Sequence, residues 1–463
     1  MQLLPSFSRI VGSSASRYRS FWRALPELQR TDGQIAGVNA VGCGATHSVM
    51  ERCNFSCTSC YLSEAAQATE PAAFDEVCQQ LNELRAWLGP GGKCQITSGE
   101  VALLPVEALG RIVTYARRIG LDPMVMTNGE RLLDDPDYLT TLVRDYGLRK
   151  VSFHVDTTQR GRPGWRPEQT EAELHPLRDR FADLVRRTRR QTGQILHAAM
   201  TMTVTGANAH GVADVIDWCL DNADAMRLVS FLPVAPVGRT KDESDDYLDL
   251  GGVWQRICRG AGRLLNRDAL RFGHGECNIT VPVVVLRAGT RRHVVEVVRA
   301  GKGWDRRIMR RALREFAPTL HVDEGFLRTV TRVVAGLLRR PLALLELAAY
   351  GLYRGWTERA TLGAIVRAVC TRGQVQLRPQ LLVVHRFMGA EEIDTDLGRE
   401  RLQSCVFRVP VDGEMVSMCE VNAGDIRRRL NERLTRPSVI HNRAVVQARR
   451  AESLRDSARS RYA

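Results

Sequence analysis

Between residues 44 and 265, short β-like apolar runs alternate with longer stretches in which apolar residues recur every three or four positions. The short runs predict strands and the longer stretches predict amphipathic helices. The six predicted strands are Thr46–Met50, Cys94–Thr97, Pro123–Thr127, Lys150–Asp156, Ile195–Thr205 and Met226–Leu232. The helices predicted after them are Ala72–Leu88, Val106–Ile119, Asp137–Tyr146, Glu171–Gln191, Val212–Leu220 and about Tyr247–Leu265. Strands that alternate with helices predict a parallel α/β sheet with right-handed crossovers, either an open barrel or a doubly wound sheet.

The pattern changes after residue 270. Thr280–Leu286 and His293–Val298 predict a hairpin, residues 304–370 are helical and strongly basic, and residues 375–422 return to strands and turns. The chain is therefore expected to contain four parts: an N-terminal arm, a central α/β unit, an α+β extension and a basic tail. Their expected bounds are 1–43, 44–268, 269–426 and 427–463.

Composition indicates an ordinary globular protein with metal sites or buried thiols. The 463 residues are 44% hydrophobic and 25% charged, as in ordinary globular proteins, and carry a net charge of +14. No apolar run reaches the length of a spanning helix, and the N-terminus lacks the apolar core of a signal peptide. Twelve cysteines in so long a chain without a secretion signal favour metal sites and buried thiols over a disulfide framework.

Cys53, Cys57 and Cys60 lie in one short loop after the first predicted strand. Three thiolates at this spacing suit an iron–sulfur cubane, whereas tetrahedral zinc usually takes four ligands. A cubane with three protein ligands leaves one iron open, and an open iron can chelate the amino and carboxylate groups of S-adenosylmethionine (SAM). The sequence Cys53-Asn-Phe-Ser-Cys57-Thr-Ser-Cys60 resembles the CxxxCxxC signature of the radical SAM superfamily. Asn54 matches a common feature of that signature, whereas Ser59 replaces the aromatic residue that most members carry.

This resemblance implies a partial (βα)₆ barrel, a [4Fe–4S] cluster and SAM as a cofactor. Ser98, Gly99 and Glu100 resemble the family's SAM-binding GGE motif, with serine in place of the first glycine. Other polar residues close later strands, where the family contacts SAM. They are Asn128 after the third strand, His154 and Asp156 on one face of the fourth, and Thr205 at the end of the fifth. His154 and Asp156 are also the candidate catalytic residues, and Phe231–Arg239 resembles the family's sixth-strand sequence.

Three further cysteines, Cys277, Cys405 and Cys419, lie in turn-rich parts of the extension. They are candidate ligands of a second iron–sulfur cluster, as on the extensions of many radical SAM enzymes, with buried structural thiols as the alternative. The resemblance implies reductive cleavage of SAM followed by hydrogen abstraction from an unactivated C–H bond. It also implies a reductant partner such as flavodoxin or ferredoxin.

The substrate class stays open at this point. The basic helical segment 304–370 favours a lipid or other apolar substrate and an anionic membrane surface as a partner of a cytoplasmic enzyme. A peptide-modifying maturase, a nucleic-acid-modifying radical enzyme and a non-catalytic iron–sulfur or zinc scaffold are the alternatives. Nucleic acid is not an expected partner, because no aromatic-rich basic recognition module is present.

Overall fold

A computed structural model describes residues 14–240, 248–288, 291–299, 303–315, 341–370 and 375–435, together with 331, 334 and 335. In chain order the strands are β1 (Cys43–Ala45), β2 (Gly92–Ile96), β3 (Leu121–Thr127), β4 (Lys150–His154), β5 (His197–Val204), β6 (Met226–Pro233), β7 (Asn278–Ala288), β8 (Arg291–Glu296), β9 (Val375–His385), β10 (Phe407–Val411) and β11 (Glu414–Ser417).

The first eight helices are α1 (Ser14–Ala24), α2 (Phe74–Leu88), α3 (Val106–Arg118), α4 (Glu130–Asp134), α5 (Pro136–Arg144), α6 (His175–Thr192), α7 (Val212–Asp221) and α8 (Leu250–Gly260). The later helices are α9 (Gly303–Glu315), α10 (Pro341–Thr357), α11 (Arg359–Cys370), α12 (Ala390–Ile393), α13 (Asp396–Gln403), α14 (Met418–Ala423) and α15 (Ile426–Arg433). None of the helices in the described ranges combines the length and apolar character needed to cross a membrane.

All described strands form one sheet in the order β11-β10-β1-β2-β3-β4-β5-β6-β9-β7-β8. The pairs from β10 through β1 to β6, and onward to β9, are parallel, and only the outer pairs are antiparallel. Strands β2–β6 correspond to the second to sixth predicted strands, and β1 lies just before the first. The curled, mainly parallel sheet confirms the predicted partial (βα)₆ barrel.

The core lies between this sheet and its helices. Buried apolar residues of β2–β7, β9 and helices α1–α3 and α5–α8 form one continuous cluster. Strand β5 is buried along nearly its whole length, as expected of a central parallel strand that is covered on both faces.

The first strand differs from its prediction. Thr46–Met50 was expected to pair in the sheet, but the strand ends at Ala45. The residues that follow form a buried polar turn, in which the His47 N–H donates to Gln80 Oε1 and Ser48 has a φ of 62°. Val49 and Met50 are apolar and are buried within this turn. The sequence pattern therefore resembled that of a buried strand.

The described parts of the expected arm (1–43) and tail (427–463) include helices that pack on the fold, and the rest of each, 1–13 and 436–463, lies outside the described residues. From Ser14 onward the chain forms α1, and Phe21 and Leu25 pack in the main core. Helix α15 begins at Ile426 and buries Arg427 and Leu430. Strands β9 and β10 also pair directly with β6 and β1, so the extension continues the barrel sheet on both flanks.

Candidate active site

The residues singled out in the sequence follow successive parallel strands. Because parallel strands end at the same edge of a sheet, the turns after β1 to β6 bring these residues to one edge of the barrel. The cysteine loop follows β1, Ser98–Glu100 follow β2, Asn128 follows β3, and His154 ends β4. The order along the sheet matches the order along the chain, so the site draws on all six units.

Cys53, Cys57 and Cys60 are free, partly exposed thiols on the loop after β1. Burial raises the pKa of Cys53 to about 11, with further contributions from Glu100 and Cys60. Burial also raises the pKa of Cys57, and Cys60 is the next largest cause. Cys60 thus lies near enough to both Cys53 and Cys57 to contribute to their raised pKa values.

The loop is held by backbone contacts to the turn after β4. The N–H of Ser56 donates to the Arg160 carbonyl at 2.8 Å, and the N–H of Thr58 donates to the Thr158 carbonyl at 2.8 Å. Asn54, the residue after the first cysteine, accepts a 2.8 Å bond from the Asn128 amide and bonds to Glu130. These contacts link the cysteine loop to the ends of both β3 and β4.

Ser98 and Gly99 pack against the chain just before the first cysteine. The Ser98 hydroxyl donates to Glu51 Oε1 at 2.6 Å, and Glu51 is fully buried. A Cβ atom on Gly99 would stand 2.3 Å from the Glu51 carbonyl oxygen and 2.5 Å from that of Arg52. Only glycine permits this approach, so Gly99 fixes the start of the cysteine loop against the end of β2.

Glu100 was predicted to belong to a SAM-binding motif, and in the structure protein donors surround its carboxylate. It accepts bonds from the Ala102 N–H at 2.9 Å, the Thr127 hydroxyl at 2.6 Å and the Asn128 N–H at 2.6 Å. Burial raises the pKa of Glu100, although these three bonds favour its ionised form. Glu100 therefore joins the ends of β2 and β3, a role that its place in the motif did not reveal.

His154 and Asp156 form the polar centre at the end of β4. His154 Nε2 lies 2.7 Å from Asp156 Oδ2 and 3.1 Å from the Thr203 hydroxyl. The buried Asp156 carboxylate also accepts bonds from the Thr158 N–H and hydroxyl and the Thr203 N–H. Burial opposes ionisation of Asp156, but the net effect of His154 and these bonds is a lowered pKa. An ionised Asp156 therefore orients a His154 ring that is one-third exposed.

Thr205 bonds to Asn208 and not to His154 or Asp156. Its N–H donates to Asn208 Oδ1 at 2.8 Å, and both residues are buried. The Asn208 amide in turn donates to Glu171 at 3.0 Å, and Glu171 pairs with the fully buried Arg178. The structure thus places Thr205 in a network that supports the end of β5.

Two arginines contact the cysteine loop and were not predicted as site residues. Arg162 donates to the carbonyls of Asn128 at 2.8 Å and His154 at 3.2 Å, and its guanidinium lies 4.8 Å from the Phe55 ring centre. Arg239 Nη2 donates to Cys60 Sγ at 3.3 Å. Arg239 ends the recognised sixth-strand sequence, which was a usable signal, whereas Arg162 lies in an ordinary polar turn.

Cys277, which precedes β7, and Cys405 and Cys419, which flank the β10–β11 hairpin, line one small pocket together with His274, His385 and Arg401. Arg401 Nε donates to Cys277 Sγ at 3.3 Å, and Arg401 is only 1% exposed. Burial raises the pKa of Cys419 to about 12, and Cys405 and Cys277 are the next causes. The structure thus brings the three candidate cysteines of the extension together.

Across the described ranges, no three side chains of histidine, cysteine, aspartate or glutamate meet around a single point as one metal ion requires.

Comparisons with known proteins give two curated relatives. The chain is 22% identical over 261 residues to the 7,8-dihydro-6-hydroxymethylpterin dimethyltransferase of Methanocaldococcus jannaschii, covering 51% of this chain and 48% of that protein. It is 25% identical over 224 residues to the GTP 3′,8-cyclase of Paracoccus denitrificans, covering 45% of this chain and 58% of that protein. The chain thus spans about half the length of the curated relatives it matches. No family model matches the chain.

Solved structures of anSMEcpe with bound AdoMet align with 46% of this chain. The native form covers 57% of its own chain at a TM-score of 0.33 and 14% identity. The form with the Kp18Cys peptide covers the same 57% at a TM-score of 0.32 and 16% identity. Scores this low add no argument of their own.

The resemblance to the radical SAM superfamily therefore rests on the cysteine loop, the partial barrel that carries it and the two curated relatives. Members of that superfamily use a [4Fe–4S] cluster and S-adenosylmethionine as cofactors.

Proposed function

We propose that Cys53, Cys57 and Cys60 hold the [4Fe–4S] cluster, and that the enzyme cleaves SAM to abstract hydrogen from an unactivated C–H bond. The observation that carries this proposal is the grouping of three free thiols on one loop at the carboxyl edge of the barrel. When bound, the cluster supplies the electron that breaks a C–S bond of SAM and yields a 5′-deoxyadenosyl radical.

The donor set fits such a group. The pKa values of Cys53 and Cys57 are raised, and the positive charge of clustered iron favours the thiolate form of each. Arg239 faces Cys60, and its Nε is buried without a hydrogen-bond partner among the described residues. An unfilled donor beside the thiols is consistent with a site completed by a further group.

Ser98, Gly99, Glu100, Asn128 and Thr205 are proposed to form the SAM site. The Ser98 hydroxyl and the Glu100 carboxylate already have protein partners. We therefore expect the Ser98–Gly99 backbone to contact the methionine part of SAM, with Glu100 holding that backbone against β3. Asn128 and Thr205 shape the neighbouring strand ends.

His154 and Asp156 are proposed to orient ribose or substrate. Because Asp156 is ionised, its carboxylate accepts a hydrogen bond from the Nε2–H of His154. This bond and the Thr203 contact fix the ring plane. The partly exposed ring can then present one face and its second nitrogen to a bound molecule.

For the substrate we propose a lipid or other apolar molecule, reached by a cytoplasmic enzyme at an anionic membrane surface. Leu342, Leu345, Leu352 and Trp356 of α10 are 67–79% exposed. Arg306 and Arg307 of α9 are also exposed, which suits anionic lipid headgroups. Vesicles containing anionic lipid should bind the protein in a salt-sensitive way. Replacing Leu345, Leu352 and Trp356 together with alanine should abolish that binding.

A peptide-modifying maturase is the second candidate. The observation that favours it is the pocket shared by Cys277, Cys405 and Cys419, which we propose as the site of a second iron–sulfur cluster. The neighbouring Cys43, His274 and His385 offer further ligands. Purified protein should then contain about eight irons per chain, and Cys277→Ala/Cys405→Ala/Cys419→Ala should lower this by about four. Unchanged iron in that variant would make these residues structural thiols.

The activity itself is tested with anaerobically reconstituted protein, SAM and dithionite. Wild type should form 5′-deoxyadenosine, and Cys57→Ala should form none. Cys78→Ala is the matched control, because Cys78 is buried in α2 and outside the loop. In the cell, a reductant such as flavodoxin or ferredoxin is the proposed donor. Equal product from Cys57→Ala and wild type would overturn the proposal.

A further inference from the structure

The segment after β6 packs directly on the third cysteine. The Arg239 N–H donates to the Cys60 carbonyl at 2.8 Å, and Arg239 Nη2 donates to Cys60 Sγ at 3.3 Å. Gly238 has a φ of 63°, and a Cβ atom there would lie 2.3 Å from the Tyr61 carbonyl carbon. Contacts with the backbone of Cys60 and Tyr61 therefore fix the position of the Arg239 main chain.

The guanidinium has no acidic partner in the ranges that the structure describes. Its Nε is buried and unpaired there, and one hydrogen bond goes to a sulfur. Among the described residues, the Arg239 guanidinium thus faces a sulfur of the cysteine loop and pairs with no carboxylate.

We propose that Arg239 is a positioning residue that tunes the cluster held by Cys53, Cys57 and Cys60. A charge-assisted N–H···S bond to the Cys60 thiolate fixes this ligand, and the positive charge favours the reduced, more negative cluster. Arg239 thereby raises the reduction potential and brings it within reach of a cellular reductant. This inference rests on the proposed function, because it requires the cluster at the cysteine loop.

The test is a redox titration of the reconstituted protein, followed by electron paramagnetic resonance and with iron and sulfide measured beside it. Arg239→Gln should retain the cluster but lower the equilibrium constant for one-electron reduction about tenfold, a shift of about 59 mV to lower potential. Arg239→Lys keeps the positive charge but lacks the planar guanidinium. Its reduction potential should therefore lie between those of the wild type and Arg239→Gln. Arg160→Gln is the matched control, because Arg160 contacts the Ser56 hydroxyl and no cysteine sulfur.

Five outcomes decide the matter. A lowered potential in Arg239→Gln, with wild-type potential in Arg160→Gln, supports the inference. Equal potentials in all variants that hold four irons overturn it and leave the proposed function intact. If Arg239→Gln loses its iron, recovery of iron in Arg239→Lys supports the role of the charge, whereas no recovery reduces Arg239 to a packing residue. A wild-type protein without iron and sulfide overturns both proposals.

Discussion

Much of the candidate site is built from side chains that hold one another. Ser98 and Glu51 bond to each other, and Glu100 bonds to Thr127 and to the backbone of Asn128. The order of these motifs was readable from the sequence, because each follows a predicted strand. Their partners were not, because a contact such as Ser98–Glu51 joins positions 47 residues apart and leaves no periodic pattern. In the sequence, a polar residue after a strand therefore looks the same whether it supports the site or contacts SAM.

Gly99→Ala tests the close approach beside the cysteine loop. The added methyl group would press on two backbone oxygens, so we expect a loss of about 2 kcal/mol in the free energy of unfolding and less bound iron. Chemical denaturation and iron analysis measure both effects. Gly351→Ala is the control, because nothing lies within 4 Å of that position in α10 and alanine favours a helix. Unchanged stability and iron in Gly99→Ala would contradict the packing described.

The buried His47 should make stability depend on pH. Burial is the main cause that lowers its pKa from 6.5 to about 4. The unfolded chain binds this proton near pH 6.5 and the folded chain only near pH 4. The free energy of unfolding should therefore fall by up to about 3 kcal/mol as the pH drops through that interval.

Denaturation at pH 7 and pH 5 measures this loss for wild type, His47→Gln and the exposed-residue control His210→Gln. His47→Gln should lose less stability on acidification than the other two proteins. The same loss in all three would show that His47 is not the cause.

At the scale of elements, α15 shows why the first residues of the expected tail pack on the barrel. Arg427 forms a buried ion pair with Glu51 at 3.1 Å, and its guanidinium lies 4.7 Å from the ring centre of Tyr61. The sequence of the tail is rich in arginine, which predicts a solvated segment, and nothing local distinguishes Arg427 from its neighbours. Helices with strong apolar periodicity, such as α3, were predicted to within a residue, because burial of one face is visible in the sequence.

Arg427→Gln should destabilise the protein by about 3–5 kcal/mol, because it leaves the Glu51 carboxylate buried without its cation. Since Glu51 also bonds to Ser98, bound iron should fall as well. Arg428→Gln is the control, because Arg428 is exposed and pairs only with Asp425 and Glu432. Thermal unfolding of the two variants should differ clearly. Equal melting temperatures would mean that α15 contributes little to this edge of the barrel.

At the scale of the whole molecule, the barrel sheet does not end with its six predicted units. Strands β9 and β10, which begin after residue 370, pair with β6 and β1 and cover both edges of the barrel. The sequence predicted the strands of the extension but not their place, because a pairing between distant strands depends on the topology and not on local pattern. The fold class could therefore be predicted from the sequence, whereas the pairing of β9 with β6 and of β10 with β1 could not.

A fragment of residues 1–268 should consequently fail to fold as a stable unit. Its β1 and β6 edges would be unpaired, and apolar residues that face β7 and β9 would be exposed. Size-exclusion chromatography and circular dichroism should show aggregation or a non-cooperative transition, in contrast to the full chain. Cooperative unfolding of the fragment would show that the barrel is independent of the extension.

The most direct test of the central claim is the iron and acid-labile sulfide that depend on Cys53, Cys57 and Cys60. The comparison is between the anaerobically reconstituted wild type and Cys53→Ala/Cys57→Ala/Cys60→Ala. We expect the triple variant to bind about four fewer irons and sulfides per chain than wild type. Addition of SAM should change the electron paramagnetic resonance spectrum of the reduced wild type only. Equal iron and sulfide in the two proteins, or iron without sulfide in the wild type, would contradict the account.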